Sequence, residues 1–155
     1  MSGFFFTLHQ DHQRCDTEML SLEQSANKPD WQQTKWILAR VHKHFECHFQ
    51  VEEEILFPSL EHYLGQSMGP LAVMRMEHDQ IRHLFRDLES LIEQQKDRDF
   101  NDVREALFIL IQQHNAKEEQ IIYPMADQYL SNDSDQILNR IISHLSDNSC
   151  SQNQS

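Results

Sequence analysis

The chain has little glycine, proline or cysteine: three, four and three in 155 residues. So few turn formers argue against a sheet protein and favour long helices, and Leu, Glu, Gln and Met are plentiful. Cys15, Cys47 and Cys150 are far apart, odd in number and never spaced as C-x-x-C, which gives no sign of a disulfide framework or a zinc ribbon. Basic residues are scarce as well, 13 against 25 acidic ones, for a formal net charge of −12. Without a basic stripe nothing displaces counterions from phosphates, so nucleic acid is not an expected partner. No apolar run approaches the ~18–20 residues of a membrane span. The patch Phe4-Phe5-Phe6 is too short for a secretory leader and has no basic residues before it. The expected location is a reducing cytoplasm. One residue type stands out by excess: there are ten histidines.

Apolar residues recur at helical spacing in four stretches. The first runs from about Thr7, a plausible N-cap, through Leu8, His12, Cys15, Met19 and Leu22 to the break at Asn27-Lys28-Pro29-Asp30. The second starts near Trp31, carries Ile37, Val41, His44, His48 and Ile55, and fades around Tyr63-Leu64-Gly65. Pro70 opens the third, which continues through Met74, His78, Ile81, Phe85 and Ile92. Lys96-Asp97-Arg98-Asp99 reads as the next connection, and Val103, Leu107, Ile111, His114, Glu118 and Met125 mark the fourth helix. A short fifth helix is expected over Asp133 to Leu145. The polar residues 146–155 read as a disordered tail, leaving 1–145 as one domain. The expected fold is all-α: an up-down-up-down four-helix bundle built from two similar helical hairpins.

The similarity of the hairpins is written in the sequence. His48-x3-Glu52-Glu53-x-Ile55-x2-Pro58 recurs 66 residues later as His114-x3-Glu118-Glu119-x-Ile121-x2-Pro124. At the same offset Asp11-His12 matches Glu77-His78. A separation of four puts His48 with Glu52, and His114 with Glu118, on one helix face. His12 and His78 sit in the middle of apolar stripes. Six imidazoles and carboxylates from four helices then point inward, and two buried carboxylates side by side need compensating positive charge. A binuclear metal site supplies it. His44 reads as core or as an outer hydrogen-bonding residue, and Cys15 as a small core residue. Glu53, Glu54 and Glu119 read as members of solvated faces.

These segments, with Leu56-Phe57-Pro58 and Tyr123-Pro124 following the two His-x3-Glu units, resemble the hemerythrin-like family, the HHE cation-binding domain, over about residues 7–130. The resemblance implies a non-haem di-iron site on His12, His48, Glu52, His78, His114 and Glu118. An oxo or hydroxo bridge and an open position on each metal would complete it, with zinc or manganese as possible substitutes. Ferritin-like bundles build their sites from Glu-x-x-His, which is absent here. Oxygen carriers of the family add a histidine four residues after the helix-three ligand, where this chain has Arg82, with His83 one position further on. Carriers place the helix-four carboxylate at the position of Glu119; the internal repeat selects Glu118. The four-His, two-Glu set is most similar to that of iron-centre repair proteins. The implied function is binding or sensing of O2 or NO, or holding iron in reserve. The alternative is a di-iron enzyme of oxidative or nitrosative stress that handles NO or peroxide or donates iron to damaged centres. The twofold pattern also suggests that Glu52 and Glu118 bridge the metals, with His12 and His114 on one and His48 and His78 on the other.

Overall fold

A computed structural model describes residues 3–26, 30–65 and 69–147. Its elements are α1 (Phe4–Ala26), α2 (Trp31–Val51), α3 (Phe57–Leu64), α4 (Gly69–Glu93), α5 (Asp97–Lys117), α6 (Tyr123–Tyr129) and α7 (Ser134–Ser146). A π turn, Glu52–Leu56, joins α2 to α3, and a second, Glu118–Ile122, joins α5 to α6. Each junction is continuous, so the described residues fold as four long helices, two of them bulged, with α7 as a short fifth. Helices α1 and α2 form one hairpin and α4 and α5 the other. No helix among the described residues is long and apolar enough to cross a membrane. The polar stretch 148–155, expected to be a tail, lies outside the described residues; Ser146, placed in that tail from sequence, still belongs to α7.

The helix starts explain two departures from the sequence reading. Helix α1 begins at Phe4, one turn before the Thr7 cap, because its first amides are capped from elsewhere in the chain. The N–H groups of Phe4 and Phe5 donate to the Asp127 carboxylate on α6, at 2.7 and 3.2 Å. That side chain satisfies two amides that have no partner within the helix. Helix α5 begins at Asp97, inside the segment read as a connection. Asp97 and Asp99 sit in its first turn, where the helix dipole favours negative charge. The real connection is the tight stretch before Asp97, with Gln95 at φ 53°. At the breaks read from sequence, Asp30 caps α2 by accepting from Gln33 N–H at 3.2 Å, and Gly65 closes α3 at φ 72°, a conformation that glycine adopts without steric cost.

The core falls into two apolar blocks with a polar layer between them. One block contains Phe4, Leu8, Phe57, Leu60, Leu71, Met74 and Tyr123, and α7 covers it with Ile137, Leu138 and Ile141. The other contains Met19, Leu22, Val41, Phe45, Phe85, Leu88, Phe100 and Leu107. Each such side chain contributes roughly 1.5–3 kcal/mol on burial. Along α1 the order is Leu8, His12, Cys15; along α4 it is Met74, His78, Ile81, all buried. The histidines interrupt the apolar stripes at the same height in both hairpins.

Candidate metal centre

The two π turns fix where the carboxylates stand. Proline has no N–H, and its ring collides with the carbonyl one α-turn back. Pro58 and Pro124 each follow the glutamate of a His-x3-Glu unit by six residues. In both helices the turn before the proline widens: Phe57 N–H bonds back to the Glu52 carbonyl and Tyr123 N–H to the Glu118 carbonyl. Widened turns of this kind often accompany functional sites. Here they present two successive glutamates, Glu52-Glu53 and Glu118-Glu119, to different partners.

All six residues expected from sequence converge in the polar layer, buried to at least nine-tenths. They form two clusters, one of His12, His48, Glu52 and Glu118 and one of Glu52, His78, His114 and Glu118. Within each, one potential ligand atom per residue lies within 4.8 Å of the others. Both carboxylates belong to both clusters. Glu52 Oε1 is 3.4 Å from His48 Nε2 and 3.2 Å from His78 Nε2. Glu118 Oε1 is 3.2 Å from both His12 Nε2 and His114 Nε2. The histidine pairing differs from the one inferred from the repeat. His12 meets His48, with ring centroids 4.6 Å apart, and His78 meets His114 at 4.8 Å. Each hairpin supplies its own pair, because α1 packs on α2 and α4 on α5.

Outside the layer, carboxylates face the other imidazole nitrogens. Asp11 takes His48 Nδ1 at 2.7 Å, and its repeat equivalent Glu77 takes His114 Nδ1 at 2.9 Å. Glu53 takes His78 Nδ1 at 2.6 Å. Its equivalent Glu119 comes within 3.5 Å of His12 Nδ1 and pairs with His9. Glu53 and Glu119 are therefore not simply solvated residues, as their position in an acidic run suggested. An Nδ1–H held by a carboxylate leaves the Nε2 lone pair pointing inward, which is the tautomer a metal ligand needs. His44 Nε2 lies 3.4 Å from Asp11 Oδ1 and Arg14 is at the same distance, so His44 is an outer residue that touches the site through Asp11. Cys15 is free and buried beside them.

Sequence reasoning missed Tyr123. Its buried hydroxyl is 2.7 Å from Glu52, 3.1 Å from Glu118, 2.9 Å from His12 Nε2 and 3.3 Å from His48 Nε2. The repeat equivalent is Phe57, which stacks on His78 at 5.9 Å with no hydroxyl to offer. The signal was a mismatch: a polar atom in one half of a repeat where the other has none.

The electrostatics state what the layer lacks. Burial drives His48 and His78 towards neutrality, yet Glu52 with Asp11, and Glu118 with Glu52 and Glu53, hold their pKa values up, that of His78 at about 10. Burial disfavours the charged form of Glu118, but His114, His12 and His78 keep its carboxyl well below the usual range. Burial and the two carboxylates push the Tyr123 hydroxyl up. Two buried carboxylates thus demand positive charge, from protons on histidine or from cations. His78 Nε2, His114 Nε2, Glu52 Oε1 and Glu118 Oε2 are buried and make no hydrogen bond. Converging lone pairs of nitrogen and oxygen, unsatisfied by each other, fit a pair of divalent metal ions.

The comparisons agree with this geometry. The family model described as the hemerythrin HHE cation binding domain matches residues 4–126. The curated "Iron-sulfur cluster repair protein YtfE" of Escherichia coli O1:K1 / APEC is 42% identical over 48 residues, 30% of this chain and 22% of that protein. The proteins of the same name from Escherichia coli (strain K12 / DH10B) and Shigella boydii serotype 18 match to the same extent. The matched stretch thus spans about a fifth of the length of those relatives. Comparison with solved structures gives no significant match. With a matching model over most of its length and two His/Glu clusters in the bundle interior, the chain belongs to the hemerythrin HHE cation-binding domain family.

Proposed function

We propose that this chain is a di-iron protein of the response to oxidative or nitrosative stress, whose work is to hold iron and supply it to damaged iron centres. The observation that carries the reading is the pair of clusters sharing both carboxylates, with unsatisfied nitrogen and oxygen lone pairs in a buried layer. His12 and His48 would hold one iron and His78 and His114 the other, with Glu52 and Glu118 available to both. Bound iron supplies one-electron redox chemistry and coordination positions open to small oxidants. The residues of the chain keep that site dry and in register: Asp11, Glu53 and Glu77 fix the imidazole tautomers, and Tyr123 brings a hydroxyl to the His12/His48 side. The name of the relatives, iron-sulfur cluster repair protein, favours this over a dedicated role in binding O2 or NO.

Arg82 also weighs against oxygen carriage. It stands at the carriers' fifth-histidine position and is turned outward to Glu46, Glu53 and Asp79. The test is iron transfer. Protein loaded anaerobically with two equivalents of Fe(II) is mixed with a peroxide-damaged [4Fe–4S] hydratase, and recovery of hydratase activity is followed. Recovery with the wild type and none with Glu52→Ala is the expected result. A protein that keeps both irons, restores nothing and instead forms a reversible oxygen complex belongs to the gas-binding reading.

A further inference from the structure

The two hairpins can be compared position by position at their offset of 66 residues, and one pair of equivalent contacts has opposite chemistry. On the second hairpin's side, Arg82 binds Glu46 with Nε and Nη2 at 2.9 and 3.0 Å. The same guanidinium reaches both oxygens of Glu53 at 3.0 and 3.1 Å, and Glu53 holds His78 Nδ1 at 2.6 Å. It also lies over the Phe49 ring at 5.2 Å, and that ring lies flat on His78, 4.0 Å between centroids and 17° between planes. One arginine therefore fixes the edge of His78 through Glu53 and its face through Phe49. On the other side the equivalents of Arg82, Glu46 and Phe49 are Asp16, Gln112 and Asn115. Gln112 still donates to Asp16, at 2.9 Å, so the contact survives. But an aspartate cannot hold Glu119 as an arginine holds Glu53; like charges repel. Glu119 pairs instead with the part-exposed His9, and His12 Nδ1, buried and 3.5 Å away, has no hydrogen bond. His48, His78 and His114 each have theirs.

We infer that Arg82 is a positioning residue that makes the two metal positions unequal, holding the His78/His114 position firmly and leaving the His12/His48 position as the exchangeable one. The inference rests on the di-iron reading above and names which of the two irons is given up. Outer carboxylate partners of metal-bound histidines are worth about 10–100-fold in metal affinity, and His12 is the histidine without a hydrogen-bonded one. Lysine cannot replace Arg82, since a point charge cannot span Glu46 and Glu53 in one plane.

The experiment is chelator capture. Protein carrying two Fe(II) per chain is mixed anaerobically with excess bipyridine, and the coloured complex is followed in time. Two phases of equal amplitude are expected, separated by about 10–100-fold in rate. His12→Ala should remove the fast phase and leave the slow one. The double exchange Asp16→Arg with Gln112→Glu installs the clamp on the first side and should slow the fast phase at least several-fold. The reverse exchange, Arg82→Asp with Glu46→Gln, should speed the slow phase. The installing exchange takes no clamp away, so it reads the inference even where the removing exchange fails to fold. Two irons leaving in one phase, or a fast phase that survives His12→Ala and is lost in His78→Ala, overturn the inference alone. A chain that never takes up a second iron overturns the di-iron reading and the inference together.

Discussion

The two hairpins share a backbone plan and differ in what surrounds it. Both place a histidine mid-helix, a His-x3-Glu unit on the next helix, and a π turn before a proline. The likeness ends one layer out. The first half meets the Tyr123 hydroxyl and has a loosely held His12; the second has Phe57, Phe49 and the Arg82–Glu53 pair packed around His78. Six inner residues obey the twofold, as matching donors for two metal ions would require. The outer ones need only satisfy their own charges, and there the halves have diverged. A symmetric frame with unsymmetric support is how one fold can keep a site while making one of its positions easier to leave.

The largest effect should come from the shared carboxylates. Each belongs to both clusters, so Glu52→Ala or Glu118→Ala should cost both irons, whereas His12→Ala should cost mainly one. Elemental analysis of the purified variants checks this, and loss of a single iron from Glu52→Ala would mean that the carboxylate does not bridge.

Next comes pH. His48 and His78 hold protons more tightly than ordinary histidine, His78 up to about 10, so metal ions must displace those protons to bind. Iron affinity should rise with pH through neutrality and towards that value. For the metal-free protein the sign is opposite: a raised histidine pKa lends stability fully present below about 6.5, its unfolded value. That stability is lost as pH rises through the folded value, near 10 for His78. Calorimetry in buffers of different ionisation enthalpy would count the protons released, and a binding enthalpy independent of buffer would contradict the account.

Making the halves alike is a smaller perturbation. Tyr123→Phe copies Phe57 into the second unit and removes the hydroxyl that reaches Glu52, Glu118, His12 and His48. It should keep two irons and alter the optical spectrum of the oxidised protein. Phe57→Tyr on its own should leave the His12/His48 side unchanged. An unaltered spectrum in Tyr123→Phe would place the hydroxyl outside the working site. The smallest effect concerns the frame: Asp127→Ala uncaps α1 and should lower stability by about 1 kcal/mol, read from thermal melting of the metal-free protein.

Much of this could be read from residue order alone. Helical spacing marks the four long helices, and the offset repeat selects His12, His48, Glu52, His78, His114 and Glu118, because inward position follows from period and donor chemistry from residue type. The repeat could not say which histidines meet, since that depends on which helices are neighbours. Pairing across the hairpins was the wrong choice because α1 and α2 lie side by side. Glu53 and Glu119 were misread for a local reason: on a regular helix the residue after an inward one points about 100° away, and the π turns change where it is carried. The start of α1 was misplaced because its cap, Asp127, is more than a hundred residues distant. Tyr123 was visible opposite Phe57 as half of an unmatched pair, but was read only as part of the segment that follows Glu118.

On this reading six residues hold two irons, and only Glu52 and Glu118 serve both. Iron content per chain, measured on anaerobically purified protein from iron-replete cells, tests it most directly. Two irons are expected in the wild type, about one in His12→Ala, and none held tightly in Glu118→Ala. One metal per wild-type chain, or zinc in place of iron under those conditions, would contradict it.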